Sequence, residues 1–194
     1  MWGVSGGAKL TAAPEEGALK LIFGHLDEEG VPYVVLRNHE QLPYCSGGSD
    51  LDLLVSTRDG PRAKAIVLAA LRAADGWPIG VAESPGFFKI VALGHAGDGC
   101  VGWWGLCIDV NAGLFFRGHR LLDDEKPLPV RLHNGVRVLS EGLAGVLGVL
   151  KEVLNNGVCP VKYFGSAQRA ARNEWASVAG LLAPRGARSV TALR

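Results

Sequence analysis

The chain has 194 residues, of which 48% are hydrophobic and 20% are charged, and its formal net charge at pH 7 is +1. This composition suffices for one domain with a sizeable core and excludes a chain that is disordered throughout. Because the charge is nearly neutral and basic residues form no tract, we do not expect long nucleic acid as a partner.

The sequence also indicates the compartment. Glycines and Lys151 interrupt the longest apolar run, at 143–154, so no segment reaches transmembrane length and no membrane partner is expected. Cysteines without Cys-x-x-Cys spacing argue against structural zinc and indicate reduced thiols in a cytoplasmic protein. The four cysteines are Cys45, Cys100, Cys107 and Cys159.

Helix and strand patterns alternate in the first part of the chain. Proline and acidic residues at Pro14-Glu15-Glu16 favour a helix start, and Gly30 ends the apolar stripe that follows. Runs rich in β-branched residues and leucine predict strands on either side of the loop 37–49. The predicted elements here are a loose leader over 1–13, a helix over about 14–30, strands over 33–36 and 50–55, and a helix over about 61–74.

The second part of the chain is predicted to contain two hairpins and two helices. A glycine-rich segment, 94–102, joins two aromatic and β-branched runs as in a hairpin, and Asn134-Gly135 is typical of a tight hairpin turn. Apolar residues at helical spacing follow. The predicted elements are strands over 87–93 and 103–110, a hairpin over 128–138, helices over about 140–155 and 161–182, and a tail from 184.

These elements predict an α+β fold in which a short mixed β-sheet is flanked by helices. We expect an αβ core over 14–138 and a C-terminal helical segment over 139–183 that packs on this core. The flanking segments 1–13 and 184–194 are expected to be flexible.

Two aspartates stand two residues apart after the glycine-rich turn 47–49. Because side chains alternate faces along a strand, Asp50 and Asp52 point the same way while Leu51 and Leu53 point into a core. Neighbouring carboxylates repel each other unless a cation lies between them, and Mg²⁺ prefers such oxygen ligands. An ordinary turn with a solvated strand start is the alternative interpretation.

A third carboxylate, Asp109, lies in the apolar run 103–110. Since burying an unpaired charge is costly, we predict that Asp109 joins Asp50 and Asp52 at one metal site. The alternative is a half-exposed, salt-bridged aspartate at a strand end. Three such carboxylates can hold two Mg²⁺ ions, which activate an attacking oxygen and stabilise a leaving pyrophosphate, and the third acid can accept a proton.

These motifs resemble the nucleotidyltransferases of the DNA polymerase-β superfamily. The strand 33–36, the pair Asp50 and Asp52, and Asp109 carry the likeness. More narrowly, the segment 34–38 followed by Leu42-Pro43 and 49–55 is similar to small bacterial nucleotidyltransferase-like proteins. The resemblance implies a minimal nucleotidyltransferase fold and Mg²⁺-dependent transfer of a nucleoside monophosphate from a triphosphate to a hydroxyl. It also implies that the three aspartates are the metal ligands and the catalytic residues.

One departure from this family concerns the triphosphate. The family has a Gly-Ser pair directly after the first strand, whereas Arg37 and Asn38 stand there in this chain and Gly47-Gly48-Ser49 follows later. We predict that Arg37 contacts phosphate through its planar fork and that Asn38, Gly48 and Ser49 complete the nucleotide site. A surface role for Arg37 is the alternative.

Three lysines and one histidine are weaker candidates. Lys89, Lys151 and Lys162 could each contact phosphate, but a solvated surface lysine is the default interpretation. His39 lies in the loop beside the predicted site, and a surface position is the default for it too.

We therefore predict an Mg²⁺-dependent nucleotidyltransferase with a nucleoside triphosphate as donor and a small acceptor such as a sugar, sugar phosphate or antibiotic-like molecule. The near-neutral charge favours a small acceptor over a polynucleotide. Two alternatives stay open. The chain could be a nucleotide-binding or scaffold module that lost efficient chemistry, as the Arg37-Asn38 departure suggests, or a toxin-type enzyme that nucleotidylates RNA or protein.

Overall fold

A computed structural model of the chain describes residues 15–95, 102–116, 119–122, 127–158, 161–173 and 179–181. The segments 1–13 and 184–194, predicted to be flexible, lie outside these residues. The helices are α1 (Glu16–Glu28), α2 (Gly60–Ala73), α3 (Glu141–Asn156) and α4 (Val161–Asn173). The strands are β1 (Tyr33–Val35), β2 (Leu51–Val55), β3 (Gly76–Ser84), β4 (Phe87–His95), β5 (Trp103–Ala112), β6 (Phe115–Phe116), β7 (His119–Arg120), β8 (Val130–His133) and β9 (Val136–Leu139).

Seven of these strands form one mixed sheet in the order β3-β4-β5-β2-β1-β9-β8, while β6 and β7 form a separate pair. At the centre, β2 is antiparallel to β1 and parallel to β5. The outer pairs β3–β4, β4–β5 and β8–β9 are antiparallel, and β1–β9 is parallel. The predicted α+β class, with a mixed sheet flanked by helices, is confirmed.

One face of the sheet is covered by α1 and α2. Alternate residues of the central strands point to this face and pack against the apolar stripes of the two helices, because strand side chains alternate with period two. The buried strand residues include Tyr33, Val35, Leu51, Leu53, Val55, Ile108 and Val110, and the helix residues include Leu19, Ile22, Leu26, Val67 and Leu71.

Among the described residues, the opposite face is covered at its β1 end by α3, together with Leu122 and Leu181. There Val34 and Leu54 pack with Leu143 of this helix. Further along the same face, Leu93 of β4 and Trp103 of β5 are exposed. This part of β4 and β5 is therefore accessible to a ligand.

The observed elements agree with the predicted ones to within two residues at most ends. Strand β3 is the main element that the sequence did not predict, because Pro78 and Gly80 read as loop residues. The sheet accommodates them at its edge, where the register with β4 shifts between Pro78 and Gly80. The division of the chain at 138/139 stays a prediction. Within the described segments, no helix is both long and apolar enough to cross a membrane.

Candidate active site

The three predicted aspartates lie on the sheet face opposite α1 and α2. Asp50 directly precedes β2, and Asp52 stands within it, opposite Asp109 on the parallel neighbour β5. Asp52 is buried, with 4% of its surface exposed, whereas Asp50 is partly exposed. Asp52 and Asp109 lie opposite each other on adjacent parallel strands, and Asp50 is two residues before Asp52. All three carboxylates therefore lie on one face of the sheet.

A lysine occupies the space between two of these carboxylates. Lys89 on β4 stands opposite Asp109 in the antiparallel register. Its Nζ lies 2.8 Å from Asp109 Oδ1 and 3.2 Å from Asp50 Oδ2, and it donates a hydrogen bond of 3.2 Å to Cys107 Sγ. Lys89 is therefore a partly buried member of the aspartate cluster and not the solvated lysine that the sequence favoured.

The contacts of Lys89 fix the charges of the cluster. Hydrogen bonding to Asp109, which outweighs burial, raises the pKa of Lys89 above its ordinary value. Burial alone would raise the pKa of Asp50, but hydrogen bonds from Lys89 and Cys107 outweigh it and hold this pKa below the ordinary value. Burial raises the pKa of the free Cys107 thiol, so a neutral thiol faces the carboxylates at neutral pH.

Arg37 holds the remaining aspartate. Its Nε lies 2.5 Å from Asp52 Oδ2, and its Nη2 lies 3.2 Å from Asp52 Oδ1, which makes a bidentate ion pair. The backbone supports the pair, because Leu36 N donates to Asp52 O at 2.9 Å. The chain then turns at Asn38, whose φ is +55°, a left-handed conformation that asparagine tolerates better than most residues.

A cleft of about 790 Å³ opens beside this pair, between the sheet and helices α3 and α4. Asp52, Arg37 and Asn38 line it, so the structure brings these three predicted residues together. Asp50 and Asp109 lie next to the cleft, beside Lys89, and are not among its described lining residues. The charged groups that line it from other elements are Glu40, Arg131, Glu141, Lys151, Glu152 and Arg169.

The glycine-rich turn before β2 is placed differently from the rest of the predicted nucleotide site. Neither Gly48 nor Ser49 is among the described residues that line the cleft. The amide of Ser49 already donates to Ser46 O at 3.2 Å, and Glu15 at the start of α1 accepts from the Ser46 amide at 3.3 Å. These contacts anchor the turn to α1, so a role for Gly48 and Ser49 in anion binding stays a prediction.

Sequence reasoning gave Lys89 only as a weaker phosphate candidate, and it did not name Asn111 or Arg131. Lys89 lies opposite Asp109 in the β4–β5 register, which puts both on one face of the sheet, and the sequence alone does not specify this register. Asn111 follows Asp109 on the same face, and its side chain donates to Leu53 O at 3.0 Å. No pattern in the sequence near Arg131 indicates a role at the site, because Arg131 lines the cleft from the outermost strand, β8.

The residues around Lys89 fit one divalent ion. Ligand atoms of Asp50, Cys107 and Asp109 all lie within 4.8 Å of one another. Carboxylates suit a hard ion such as Mg²⁺, whereas a thiol does not. Among the residues that the structure describes, this is the one such group of ligands; Asp52 lies outside it, and both its oxygens accept from Arg37.

Comparisons with known proteins add a likeness of structure. No family model matches the chain, and no curated protein matches it. Among solved structures, a candidate nucleotidyltransferase from H. pylori is 14% identical with a TM-score of 0.48, and the match covers 71% of this chain and 57% of that one. This chain thus spans a little over half the length of the H. pylori protein.

Two similar structures belong to the antibiotic-resistance factor ANT(2″)-Ia. Its solution structure is 12% identical with a TM-score of 0.44, and the match covers 84% of this chain and 85% of that one. Its crystal structure in complex with adenylyl-2″-tobramycin is 15% identical with a TM-score of 0.44, covering 82% and 89%. At these identities and TM-scores, the likeness carries no conclusion about activity or substrate.

Proposed function

We propose that this chain is a nucleotidyltransferase that depends on a divalent metal and moves a nucleoside monophosphate from a triphosphate to a hydroxyl of a small acceptor. The observation that carries this proposal is the placement of Asp50, Asp52 and Asp109 on one face of two adjacent strands, beside an open cleft. Clustered carboxylates of this kind are favourable when a cation neutralises them.

Each aspartate has a distinct role in the proposal. Asp50 and Asp109 hold the ion, and Mg²⁺ bound there would neutralise phosphate charge and activate the attacking oxygen. Asp52 orients Arg37, whose side chain is 42% exposed and lines the cleft where a phosphate would bind. A carboxylate of the cluster takes the hydroxyl proton, the acceptor oxygen bonds to the α-phosphorus, and the bond to the bridging oxygen breaks to release pyrophosphate.

The cleft supports a small acceptor. Its volume of about 790 Å³ lies within the range of sites for small molecules and cofactors. Lys151 and Arg169 line it from the helices and offer positive charge to a triphosphate, while Glu141 and Glu152 offer acceptors for hydroxyl or amino groups. Such a lining suits a sugar, a sugar phosphate or an antibiotic-like molecule next to the donor.

Calorimetry with a non-hydrolysable nucleoside triphosphate tests the proposal. We expect saturable binding that requires Mg²⁺, that Asp109→Asn abolishes and that Asp27→Asn preserves. Asp27 is a matched control because it lies on α1 in an ion pair with Arg137, away from the cluster. A wild-type chain that binds no triphosphate in the presence of Mg²⁺ would contradict the proposal.

One observation favours a second candidate, a nucleotide-binding module without efficient chemistry. Both cations of the site, Arg37 and Lys89, already neutralise its carboxylates. A pyrophosphate-release assay against a panel of sugars, sugar phosphates and aminoglycosides separates the two candidates. Triphosphate binding with no release above the Asp109→Asn background for any acceptor would favour the binding module.

A further inference from the structure

Lys89 lies where a bound cation would lie. Its ammonium is within 3.2 Å of carboxylate oxygens of both Asp50 and Asp109, and it also contacts Cys107 Sγ. These three residues form the one candidate ligand group among the described residues. A divalent ion bound by the same oxygens would therefore be in direct conflict with the ammonium.

The charges of the cluster make this conflict strong. The three aspartates carry three negative charges, and Lys89 and Arg37 contribute two positive charges. Little net negative charge is therefore left to attract a divalent ion without nucleotide. An ion that entered with Lys89 in place would give the cluster a net positive charge in a partly buried site. A nucleoside triphosphate supplies the missing negative charge, because it brings several ionised phosphate oxygens.

The two cations differ in their freedom to move. Arg37 is held by two hydrogen bonds in a planar fork on a buried carboxylate. Lys89 has a flexible four-carbon stem, single-point contacts and a side chain that is 35% exposed. Of the two, Lys89 is the one that can leave its carboxylates and follow a newly arrived anion.

We propose that Lys89 is a resident counterion that keeps the divalent ion out of the Asp50–Asp109 site until a nucleoside triphosphate binds. The ammonium then moves from the carboxylates to a phosphate oxygen, and the metal takes its place. This inference rests on the proposed function for the identity of the anion. By linkage, metal and triphosphate each raise the affinity of the site for the other by the same factor.

Titration with Mn²⁺ alone, followed by the electron paramagnetic resonance of the free ion, tests the counterion directly. We expect weak Mn²⁺ binding to the wild type and binding at least about tenfold tighter to Lys89→Met, because removing the ammonium frees two carboxylates. Lys64→Met is the matched control, since Lys64 on α2 pairs with Glu83 away from the cluster, and it should bind Mn²⁺ like the wild type.

The same titration with a non-hydrolysable triphosphate completes the test. The wild type should gain Mn²⁺ affinity strongly, and the advantage of Lys89→Met should shrink or reverse, because the variant lacks a phosphate contact. Lys89→Gln, which keeps a hydrogen-bond donor without the charge, replaces Lys89→Met if the latter does not fold. Melting temperatures identify folded variants.

Two results would overturn the role of Lys89. The first is that, without nucleotide, the folded Lys89 variants bind Mn²⁺ no more tightly than the wild type does. The second is that the wild type binds Mn²⁺ tightly in the absence of nucleotide. Failure of the proposed function has a different signature. In that case the neutral Lys89 variants still gain Mn²⁺ affinity, but triphosphate changes Mn²⁺ binding in none of the proteins.

Discussion

Arg37 and Asp52 act as one unit at the floor of the cleft. The sequence presented Arg37 either as a phosphate ligand or as a surface residue, whereas the structure places its guanidinium on a carboxylate whose side chain is only 6% exposed. One side of the fork is therefore committed to Asp52. The contribution of Arg37 to triphosphate binding therefore depends on the part of its side chain that is exposed toward the cleft.

Replacing Arg37 should affect stability and binding together. Arg37→Ala leaves the buried Asp52 without its bidentate partner, which we expect to cost about 1–3 kcal/mol in the free energy of unfolding. Triphosphate affinity should fall by roughly ten- to a hundredfold in the folded variant. Urea unfolding and calorimetry on the same sample measure both effects.

The control for this variant is Arg62→Ala. Arg62 pairs with Glu29, and both side chains are more than half exposed, so its loss should change stability little. If Arg37→Ala keeps the wild-type affinity for triphosphate, Arg37 has no part in the nucleotide site, whatever happens to the stability.

His39 gives the cleft a pH dependence. Burial lowers the pKa of His39 more than Glu40 raises it, and the positive charge of Arg131 lowers it further. Its Nε2 lies 2.7 Å from Arg131 Nη2, so the neutral ring accepts a hydrogen bond. The folded state then binds fewer protons than the unfolded state between the lowered pKa and about 6.5, and stability rises with pH in that window.

We expect the melting temperature of the wild type to fall as the pH decreases from 7.5 to 5.5. His39→Gln should show a smaller fall, because glutamine can accept from Arg131 but does not become charged. Thermal unfolding at a series of pH values checks this. Equal slopes for the two proteins would contradict the assignment of this pH dependence to His39.

At the scale of elements, strand alternation made most of the site predictable. Period two placed Asp50 and Asp52 on one face, and the apolar residues around Asp109 placed it on the same face of a neighbouring strand. Lys89 was not predictable in the same way. Its position depends on the register across the loop 96–102, which no residue pattern in the sequence specifies.

Strand β3 shows a second limit of prediction. Its residues Trp77-Pro78-Ile79-Gly80 have the local pattern of a loop, and only their place at the sheet edge, with a shift in register, allows a strand. Tertiary context also explains the buried Gly94 on β4. A Cβ atom there would lie 2.0 Å from Cζ2 of Trp104, whose ring covers the backbone.

Substitution of this glycine should be destabilising for a steric reason. Gly94→Ala forces the buried Trp104 ring to move, and overpacking of this kind costs about 1–3 kcal/mol. Gly80→Ala on β3 is the matched control, because the only atom near its Cβ would be Val91 Cβ at 4.0 Å. Urea unfolding of both variants provides the test, and equal midpoints would contradict this packing.

At the scale of the whole molecule, the cleft joins groups that lie far apart in the sequence. The loop after β1 supplies Arg37 and Asn38, whereas α3 supplies Lys151. The sequence predicted each of these elements but not that they share a cavity, because the parallel pairing of β1 with β9 brings α3 to this face. The pairing of strands that lie far apart in the sequence cannot be predicted from any short segment of it.

Lys151 should therefore contribute to triphosphate binding without contributing to stability. Lys151→Met removes an exposed charge from the cleft wall, and we expect triphosphate affinity to fall several-fold, with a weaker dependence on salt. Lys20→Met is a suitable control, since Lys20 pairs with Glu16 on the distant face of α1. Calorimetry at two salt concentrations distinguishes the variants, and identical affinities would exclude Lys151 from the site.

The hairpin that carries Lys89 also bears on the order in which the chain folds. Few residues separate β4 from β5 in the sequence, whereas a longer stretch of chain separates β2 from β5, so we expect Lys89 to pair with Asp109 before β2 joins β5. The ammonium is thus already in place when Asp50 arrives. Asp50 then joins a cluster in which an ammonium already offsets the charge of Asp109, which reduces the repulsion between these two carboxylates as β2 pairs with β5.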